Sequence, residues 1–285
     1  AGHRQLQQFA ESWPPFWASF ARKLPEREIS MEIRLDEKVA IVTGAGQGLG
    51  QAIAEALAAA GARVAVNDLN PDRAERVARG IREQGGQAIG VAADISNKFQ
   101  CVHLVETTRA EWGRLDILVN NAGIEPVSPI LTMDEWDWDR CLDVNLKGAF
   151  FMSQLVGRVM ADENEGRGGV IVNISSIAGV ETPLMHRAAY CASKAGLIGF
   201  ARECAREFAQ YGIRVNTVVP GVFETPMTAA SRQKPEMMAK WRREIPMERL
   251  GRPEEIGRAV LFLCSDGASY MTGSTITVDG GKVMR

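Results

Sequence analysis

The chain has 285 residues, of which 46% are hydrophobic and 24% are charged, and its formal net charge is −2. This is the composition of an ordinary globular protein, long enough to bury one large core. The near-neutral charge and the lack of a basic run argue against a nucleic-acid partner. No apolar run approaches the roughly 20 residues that a membrane-spanning helix needs, so we expect no membrane partner.

The cysteines and histidines give no sign of a disulfide framework or a metal site. The five cysteines are odd in number, scattered along the chain and free of any C-x-x-C pair. This usage is typical of reduced thiols and predicts a cytoplasmic location. The three histidines, His3, His103 and His186, are far apart in the chain, so we expect no metal ion.

Residues 1–34 differ from the rest of the chain. The stretch "ESWPPFWASFARKL" spaces its aromatic residues as a helix would, without the continuous apolar core of a signal peptide. One interpretation is an N-terminal extension, either accessory or an artefact upstream of a functional start at Met31. The other is an amphipathic arm that docks on a partner subunit or a membrane surface. We favour the dispensable extension.

Residues 35–285 alternate short apolar runs with Ala-rich helical stretches. The runs that we interpret as strands are "KVAIVTG", "RVAVND", "AIGVAAD", "DILVNNAG", "GVIVNISS", "IRVNTVVPG" and "TITVDGG". This alternation predicts an α/β fold: a single doubly wound, Rossmann-type domain whose seven-stranded parallel sheet has helices on both faces. We expect ligands beyond the carboxyl ends of the strands, and a mobile lid of helices at about residues 225–245.

A glycine-rich turn, "TGAGQGLG" from Thr43 to Gly50, joins the first strand to the first helix. Glycines let the backbone approach a pyrophosphate, and the free N–H groups at the start of the helix face that anion. The turn follows a strand and opens a helix, which is the context that a dinucleotide-binding motif requires.

Asp68 ends the second strand, 18 residues after Gly50. A carboxylate there can accept hydrogen bonds from both hydroxyls of an adenosine ribose, although a turn-forming aspartate in "NDLNPD" is the alternative. A 2′-phosphate about 4 Å away would cost about 4 kcal/mol per unit of charge at an effective dielectric of 20. Asp68 therefore favours NAD over NADP, and we interpret Arg73, the nearest basic residue downstream, as a solvated helix residue.

Four motifs occur in a fixed order: "TGAGQGLG", "NNAG" from Asn120, "NISS" from Asn173, and Tyr190-x-x-x-Lys194. With them the sequence resembles the short-chain dehydrogenase/reductase family from Leu35 to the C-terminus. The nearest subgroups are the enzymes similar to 3-oxoacyl-carrier-protein reductases and to sugar or polyol dehydrogenases. The resemblance implies a nicotinamide cofactor, hydride transfer to or from a carbonyl carbon, and a homotetramer assembled through two long central helices.

The resemblance also implies site residues. The expected cofactor contacts are Gly44, Gly48, Leu49, Gly50, Asp68, Asp94, Asn121, Gly123, Tyr190, Lys194, Pro220, Gly221 and Thr225. The expected catalytic residues are Asn145, Ser176, Tyr190 and Lys194. Ser176 lies 14 residues before Tyr190, where 13 is commoner in the family, so Ser175 is the rival assignment.

The tyrosine and lysine pair has a direct chemical reading. Their spacing of four stacks them on one helix face, about 5–6 Å apart at Cβ. A free tyrosine has a pKa near 10, and a lysine cation together with the positive ring of oxidised nicotinamide has the right sign to lower it. We expect Ser176 to hold the substrate oxygen and Asn145 to anchor a water that links Lys194 to bulk solvent.

The substrate is left open by the sequence. We favour an NAD-dependent dehydrogenase of a small polyol, sugar, sugar acid or other secondary alcohol. A reductase of 3-oxoacyl thioesters is the alternative, and a non-catalytic cofactor-binding scaffold is a third. Glu125, His186 and Arg187 are candidate contacts for a hydroxylated or carboxylated substrate, with solvated surface residues as the plainer interpretation.

Overall fold

The structure is a computed structural model that describes residues 33–164, 166–180 and 184–284. The predicted N-terminal extension lies outside the described residues except for positions 33 and 34. Its two interpretations therefore stay predictions.

All seven predicted strands are present and join into one sheet. They are β1 (Val39–Val42), β2 (Arg63–Asp68), β3 (Gln87–Ala92), β4 (Ile117–Asn120), β5 (Gly169–Ile174), β6 (Ile213–Pro220) and β7 (Thr275–Val278). Their order is β3-β2-β1-β4-β5-β6-β7, and every pairing is parallel. The predicted parallel sheet is therefore confirmed.

The helices of the described residues lie on both faces of this sheet. They are α1 (Gly48–Ala59), α2 (Pro71–Glu83), α3 (Lys98–Trp112), α4 (Glu135–Leu142), α5 (Gly148–Asp162), α6 (Ala188–Phe208), α7 (Ala229–Arg232), α8 (Pro235–Glu244) and α9 (Pro253–Cys264). Side chains of α1, α2 and α9 form the core on one face, and those of α3, α5 and α6 form the core on the other. The doubly wound α/β prediction is confirmed.

Strand β1 shows why the strands are apolar throughout. Val39 and Ile41 belong to one core and Ala40 and Val42 to the other, and all four are fully buried. A strand covered on both faces cannot alternate apolar with polar residues. Burying each large aliphatic side chain contributes about 1.5–3 kcal/mol, so both faces stabilise the central strand.

The strand order reverses beside β1. After β3 the chain crosses over β2 and β1 and continues as β4, so that Val42 pairs with Val66 on one side and Val119 on the other. The loops that follow β1 and β4 leave towards opposite faces, which opens a crevice at the carboxyl ends. Residues 225–245 contain a short 3₁₀ turn, Pro226–Thr228, and the helices α7 and α8; the mobility of this lid stays a prediction.

Candidate active site

A cleft of about 380 Å³ opens at the carboxyl ends of the strands. Of the predicted site residues, Asn145 is outside its wall, and the others line it: Gly44, Gly48, Leu49, Gly50, Asp68, Asp94, Asn121, Gly123, Ser176, Tyr190, Lys194, Pro220, Gly221 and Thr225. Arg140 and Phe223 also line the cleft, although no motif in the sequence marks them.

The glycine turn has the shape of an anion cradle. Gly44 has a φ of +61°, and a Cβ there would lie 2.7 Å from the Cα of Ala122. A Cβ on Gly50 would lie 2.3 Å from the carbonyl oxygen of Gly44. Gln47, at the N-cap of α1, makes no side-chain capping bond, so the N–H groups of the first turn of α1 are left for a ligand in the cleft.

Asp68 lies in the wall beside this turn. Its Oδ2 accepts a hydrogen bond from the backbone N–H of Gly46 at 3.1 Å, and its Oδ1 accepts one from that of Asn70 at 2.9 Å. Arg73 lines the same part of the cleft, and a Cβ on Gly46 would lie 2.6 Å from both Asp68 Oδ2 and Arg73 Cβ. Arg73 is exposed, as the sequence predicts. It nevertheless lies next to the carboxylate of Asp68.

Asp94 is held by an arginine that the sequence analysis missed. Arg140 contacts Asp94 Oδ2 at 2.9 Å, and the hydroxyl of Ser96 donates to Asp94 Oδ1 at 2.7 Å. Burial alone would raise the pKa of Asp94, but the hydrogen bonds from Ser96 and Arg140 outweigh it and lower the pKa. The carboxylate is thus ionised and fixed in place, while its contact with the cofactor stays a prediction.

Asn121 joins the glycine turn to β4. Its Nδ2 donates to the carbonyl oxygens of Thr43 at 2.9 Å and Gly44 at 3.0 Å. On the opposite wall, Gly221 follows β6 and packs closely against Asp279. A Cβ added to Gly221 would lie 2.6 Å from the Cβ of Asp279. Thr225 begins the 3₁₀ turn of the lid and is nearly buried.

Asn145 lies behind the cleft in a π-helical turn, Asp143–Lys147, which interrupts the helix between α4 and α5. Such turns are rare and are frequent at functional sites. Its Oδ1 accepts from the backbone N–H of Ile124 at 2.8 Å, and its Nδ2 donates to the Ile124 carbonyl at 3.0 Å and to Ser193 Oγ at 3.0 Å. The side chain therefore positions the segment after β4, and the water relay stays a prediction.

Ser176, Tyr190 and Lys194 meet on the buried face of α6 and at the end of β5. The Nζ of Lys194 donates to the carbonyl of Ile174 at 2.8 Å and lies 5.7 Å from the centroid of the Tyr190 ring. The Ser176 side chain is close enough to the Tyr190 phenol to lower its pKa by hydrogen bonding. The three groups thus form one cluster in the cleft wall.

The two neighbouring serines have different partners. Ser175 donates its hydroxyl to the backbone carbonyl of Lys194 at 2.8 Å. Ser176 accepts from the backbone N–H of Ala178 at 3.2 Å, and its side chain lowers the pKa of Tyr190. The hydroxyl of Ser175 is thus bound to the backbone while that of Ser176 interacts with the tyrosine, and the choice between the two serines stays a prediction.

The ionisation of the tyrosine differs from the expectation. Burial raises the pKa of Tyr190; its hydrogen bond with Ser176 lowers the pKa by less, and the charge of Glu125 raises it further. Burial also lowers the pKa of Lys194 to about 8. The predicted lowering of the tyrosine pKa is therefore not seen with the chain's own residues, because desolvation of the phenolate is the largest effect.

The three candidate substrate contacts separate into a pair and a single residue. Arg187 and Glu125 form an ion pair whose side chains are 29% and 17% exposed. His186 is exposed and has a φ of +64°. Residues 181–183 of the same loop lie outside the described part of the chain.

Two features are absent from the part of the chain that the structure describes. No group of three or more histidine, cysteine, aspartate or glutamate side chains there could hold a metal ion. None of the helices described is both long enough and apolar enough to cross a membrane.

Comparison with known proteins agrees with this geometry. Residues 44–282 match a family model described as enoyl-(acyl carrier protein) reductase. A D-threitol dehydrogenase of Mycolicibacterium smegmatis is 39% identical over 91% of this chain and 98% of its own. A 3-oxoacyl-(acyl-carrier-protein) reductase of Thermotoga maritima is 39% identical over 88% of this chain and 100% of its own.

A solved structure is similar over the same span. The gluconate 5-dehydrogenase of Burkholderia cenocepacia, in complex with NADP and tartrate, is 33% identical and has a TM-score of 0.84 over 89% of this chain and 98% of its own. The chain belongs to the short-chain dehydrogenase/reductase family. It is an oxidoreductase of alcohol and ketone groups.

Proposed function

We propose that the protein is an NAD(H)-dependent dehydrogenase whose substrate is a small polyol, sugar or sugar acid, interconverted with its ketone. One observation carries the proposal: Ser176, Tyr190 and Lys194 meet in the wall of the cleft that the glycine turn opens. Proton-transfer groups and a dinucleotide cradle in one cleft are what hydride transfer at a carbinol carbon requires.

The residues of the cleft fit a dinucleotide. The uncapped first turn of α1 suits a pyrophosphate, and the missing Cβ at Gly50 lets α1 pack closely against the glycine turn. The carboxylate of Asp68 suits a ribose. The residues that we propose to hold the cofactor are Gly44, Gly48, Leu49, Gly50, Asp68, Asp94, Asn121, Gly123, Tyr190, Lys194, Pro220, Gly221 and Thr225. When bound, the nicotinamide accepts or supplies the hydride.

Tyr190 handles the proton of the substrate oxygen. In ketone reduction its phenol donates this proton, and in alcohol oxidation its phenolate accepts it. Because burial raises the pKa of Tyr190, the chain's own residues favour the acid form. The Lys194 cation and the positive charge of an oxidised nicotinamide favour the phenolate that oxidation needs.

Ser176 and Asn145 support this proton transfer from two sides. The Ser176 hydroxyl, next to the Tyr190 phenol, is placed to hold the substrate oxygen and to stabilise its developing negative charge. Asn145 lies outside the cleft wall and holds the backbone N–H and carbonyl of Ile124. Ile124 directly follows Gly123, and both line the cleft. A rigid wall keeps the reacting atoms in position.

The preference for NAD follows from Asp68. A 2′-phosphate beside its carboxylate would meet a like charge, at about 4 kcal/mol per unit of charge at 4 Å before screening. Two features reduce this repulsion: both carboxylate oxygens already accept backbone hydrogen bonds, and Arg73 lines the same wall. We therefore propose that the protein prefers NAD(H) to NADP(H) by about tenfold or more without excluding NADP(H). This preference has to be measured, because the gluconate 5-dehydrogenase similar to this chain is bound to NADP.

A reductase of 3-oxoacyl thioesters is the second candidate. The Thermotoga maritima relative has that activity in its name. In addition, Arg242 and Arg243 on the lid helix α8 are exposed and make no ion pair with the described residues. Such cations would attract an acidic carrier protein. Asp68 counts against this candidate, because it favours NAD(H) whereas we expect a 3-oxoacyl reductase to use NADPH.

We also propose that the protein acts in the cytoplasm as a homotetramer. The support is an apolar surface on the two long central helices. Phe150 on α5 is 41% exposed, and its ring centroid lies 6.1 Å from that of Phe200 on α6. Light scattering after size-exclusion chromatography measures the number of 31.1 kDa chains per particle, and we expect four.

The experiment that tests the proposed function is steady-state turnover with both cofactors. NADH and NADPH are compared on a ketone panel, and NAD⁺ and NADP⁺ on polyols, sugars, sugar acids and plain secondary alcohols. We expect turnover of at least one secondary alcohol with NAD⁺ as the better oxidant. Turnover confined to 3-oxoacyl thioesters with NADPH would establish the second candidate instead.

A further inference from the structure

We propose that Glu125 and Arg187 form a substrate subsite beside Tyr190, and that this subsite selects neutral polyhydroxy substrates over those with a carboxylate or a long acyl chain. The inference rests on the proposed function, because it narrows the substrate class of the same site.

Both residues lie next to parts of the active site in the chain, although neither side chain belongs to the cleft wall itself. Glu125 comes directly after Ile124, the last residue of its segment in the cleft wall, and Asn145 holds Ile124 through both of its backbone groups. Arg187 directly precedes α6, three positions ahead of Tyr190. The Glu125 carboxylate is close enough to the phenol to raise its pKa in addition to burial. The pair therefore flanks the group that handles the substrate oxygen.

The ion pair is partly buried and held by further contacts. Its side chains are 29% and 17% exposed, whereas those of the surface pair of Arg34 and Asp36 are 57% and 55% exposed. Arg187 Nη1 donates to the carbonyl of Met185 at 2.9 Å, and a backbone bridge joins Arg187 to Ser128. These contacts preorganise the pair for a ligand, which reduces the entropy lost on binding.

The charge of the pair decides which ligand it suits. An arginine alone would attract a carboxylate, but Glu125 neutralises Arg187 and would repel a second carboxylate. Within the described residues, Arg187 Nη2 and Glu125 Oε2 make no hydrogen bond. A donor beside an acceptor complements a hydroxyl group, which both accepts and donates. Vicinal hydroxyls of a polyol can therefore use both atoms.

A long acyl chain would interact poorly with the same pair. It would cover the charged atoms without offering hydrogen bonds, and a desolvated polar group without a partner is costly. The hydroxyls of a polyol replace the water that they displace. The subsite therefore discriminates against both alternatives, through repulsion for the sugar acid and through desolvation for the acyl chain.

Charge-removing variants of the two residues test the subsite. Glu125→Gln keeps the size of the side chain and removes its charge, and Arg187→Gln removes the opposite charge. Glu163→Gln is the matched control, because Glu163 pairs with Arg109 at 2.5 Å on the surface between α3 and the end of α5. Each variant is assayed with NAD⁺ on xylitol, sorbitol, gluconate and cyclohexanol, and with NADH on a 3-oxoacyl thioester. Circular dichroism and NADH titration confirm that each variant is folded.

The wild type should prefer the polyols to gluconate by at least about tenfold in kcat/KM. Glu125→Gln should raise KM for the polyols about tenfold and raise the gluconate-to-polyol ratio, since the repulsion is removed. Arg187→Gln should lower that ratio. Both ratios are taken relative to cyclohexanol turnover in the same variant, because removal of the Glu125 charge also changes the pKa of Tyr190 for every substrate. The control should match the wild type throughout.

Two kinds of failure can be told apart. A wild type that oxidises secondary alcohols but prefers gluconate, or reduces the thioester best, overturns the subsite and leaves the proposed dehydrogenase intact. The same holds if Glu125→Gln and Arg187→Gln leave the gluconate-to-polyol ratio unchanged. A wild type that turns over no alcohol in the panel overturns the proposed function itself, and the subsite with it.

Discussion

The Nζ of Lys194 lies 5.7 Å from the centroid of the Tyr190 ring, and both side chains are buried on α6. Burial acts on the two groups in opposite directions: it lowers the pKa of Lys194 to about 8 and raises that of Tyr190. A buried lysine cation and a buried phenolate are each costly alone and stabilise one another when both are present. The two groups should therefore titrate as a pair.

Lys194→Met should shift the pH dependence of alcohol oxidation. Oxidation requires the Tyr190 phenolate, which the lysine cation favours, so removal of the cation should move the rise in kcat/KM to higher pH by about one unit or more. The profile is measured from pH 6 to 10.5 on wild type, on Lys194→Met and on Lys147→Met. Lys147 is a suitable control because it pairs with Asp143 on the surface. An unchanged midpoint in Lys194→Met would show that Lys194 does not tune the tyrosine.

The same variant should change how stability depends on pH. The pKa of Lys194 is about 8 in the folded protein against 10.5 for an unburied lysine, so the unfolded chain binds more protons between these values. Stability contributed by this group is therefore fully present above about pH 10.5 and is lost as pH falls to about 8.

Relative to wild type, Lys194→Met should therefore be more stable at pH 7 than at pH 10.5, by up to about 3 kcal/mol. The lost hydrogen bond to the Ile174 carbonyl lowers the stability of the variant by the same amount at every pH. Urea unfolding at pH 7, 8, 9 and 10 measures the difference between the variant and wild type. A difference that stays constant over this range would mean that Lys194 has an ordinary pKa in the folded protein.

The two serines should differ in their effect on activity. Ser176→Ala should lower kcat by about tenfold or more, because it removes a donor to the substrate oxygen, and should also lower the free energy of unfolding by about 1 kcal/mol, because the Ala178 N–H loses its acceptor. Ser175→Ala should lower the free energy of unfolding by about 1 kcal/mol, because it removes the hydrogen bond to the Lys194 carbonyl. The value of kcat and the free energy of unfolding in urea are measured on both variants. A larger loss of kcat in Ser175→Ala than in Ser176→Ala would reassign the catalytic role to Ser175.

Cofactor preference should respond in opposite directions to Asp68 and Arg73. Asp68→Ala should narrow the preference for NAD(H), since the repulsion of a 2′-phosphate is relieved, and Arg73→Ala should widen it by several fold. Arg79→Ala is the control, because Arg79 lies on the same helix but outside the cleft wall. The measurement is the ratio of kcat/KM for the two cofactors. Equal kcat/KM values for the two cofactors in the wild type would show that Asp68 does not set the cofactor preference.

Much of this site was predictable because strand ends converge. Continuous apolar runs marked the strands, and parallel strands bring the residues after them to one edge of the sheet. Gly44, Asp68 and Asn121 could therefore be placed together from strand positions alone. The roles of Ser176 and Asn145 could be inferred only from family resemblance, since their spacing carries no chemistry of its own.

Other features depend on packing that the sequence does not show. No motif in the sequence marks Arg140, yet its side chain reaches Asp94 across 46 residues of sequence. Arg73 looked solvated, although the α2 helix carries it into the cleft wall. The pKa of Tyr190 depends on how deeply the ring is buried, and a spacing of four residues says nothing about burial.

The proposed proton transfer depends on the hydroxyl of Tyr190, and Tyr190→Phe tests this role most directly. The change removes one oxygen atom from a buried ring, so the fold and the cofactor cleft should survive. We expect NADH binding within about twofold of wild type and kcat lower by about 100-fold or more, the typical contribution of a general acid or base. Single-turnover kinetics and NADH fluorescence titration on the same preparation provide both numbers. A variant that binds NADH normally and keeps more than about a tenth of wild-type kcat would contradict the assignment of proton transfer to Tyr190.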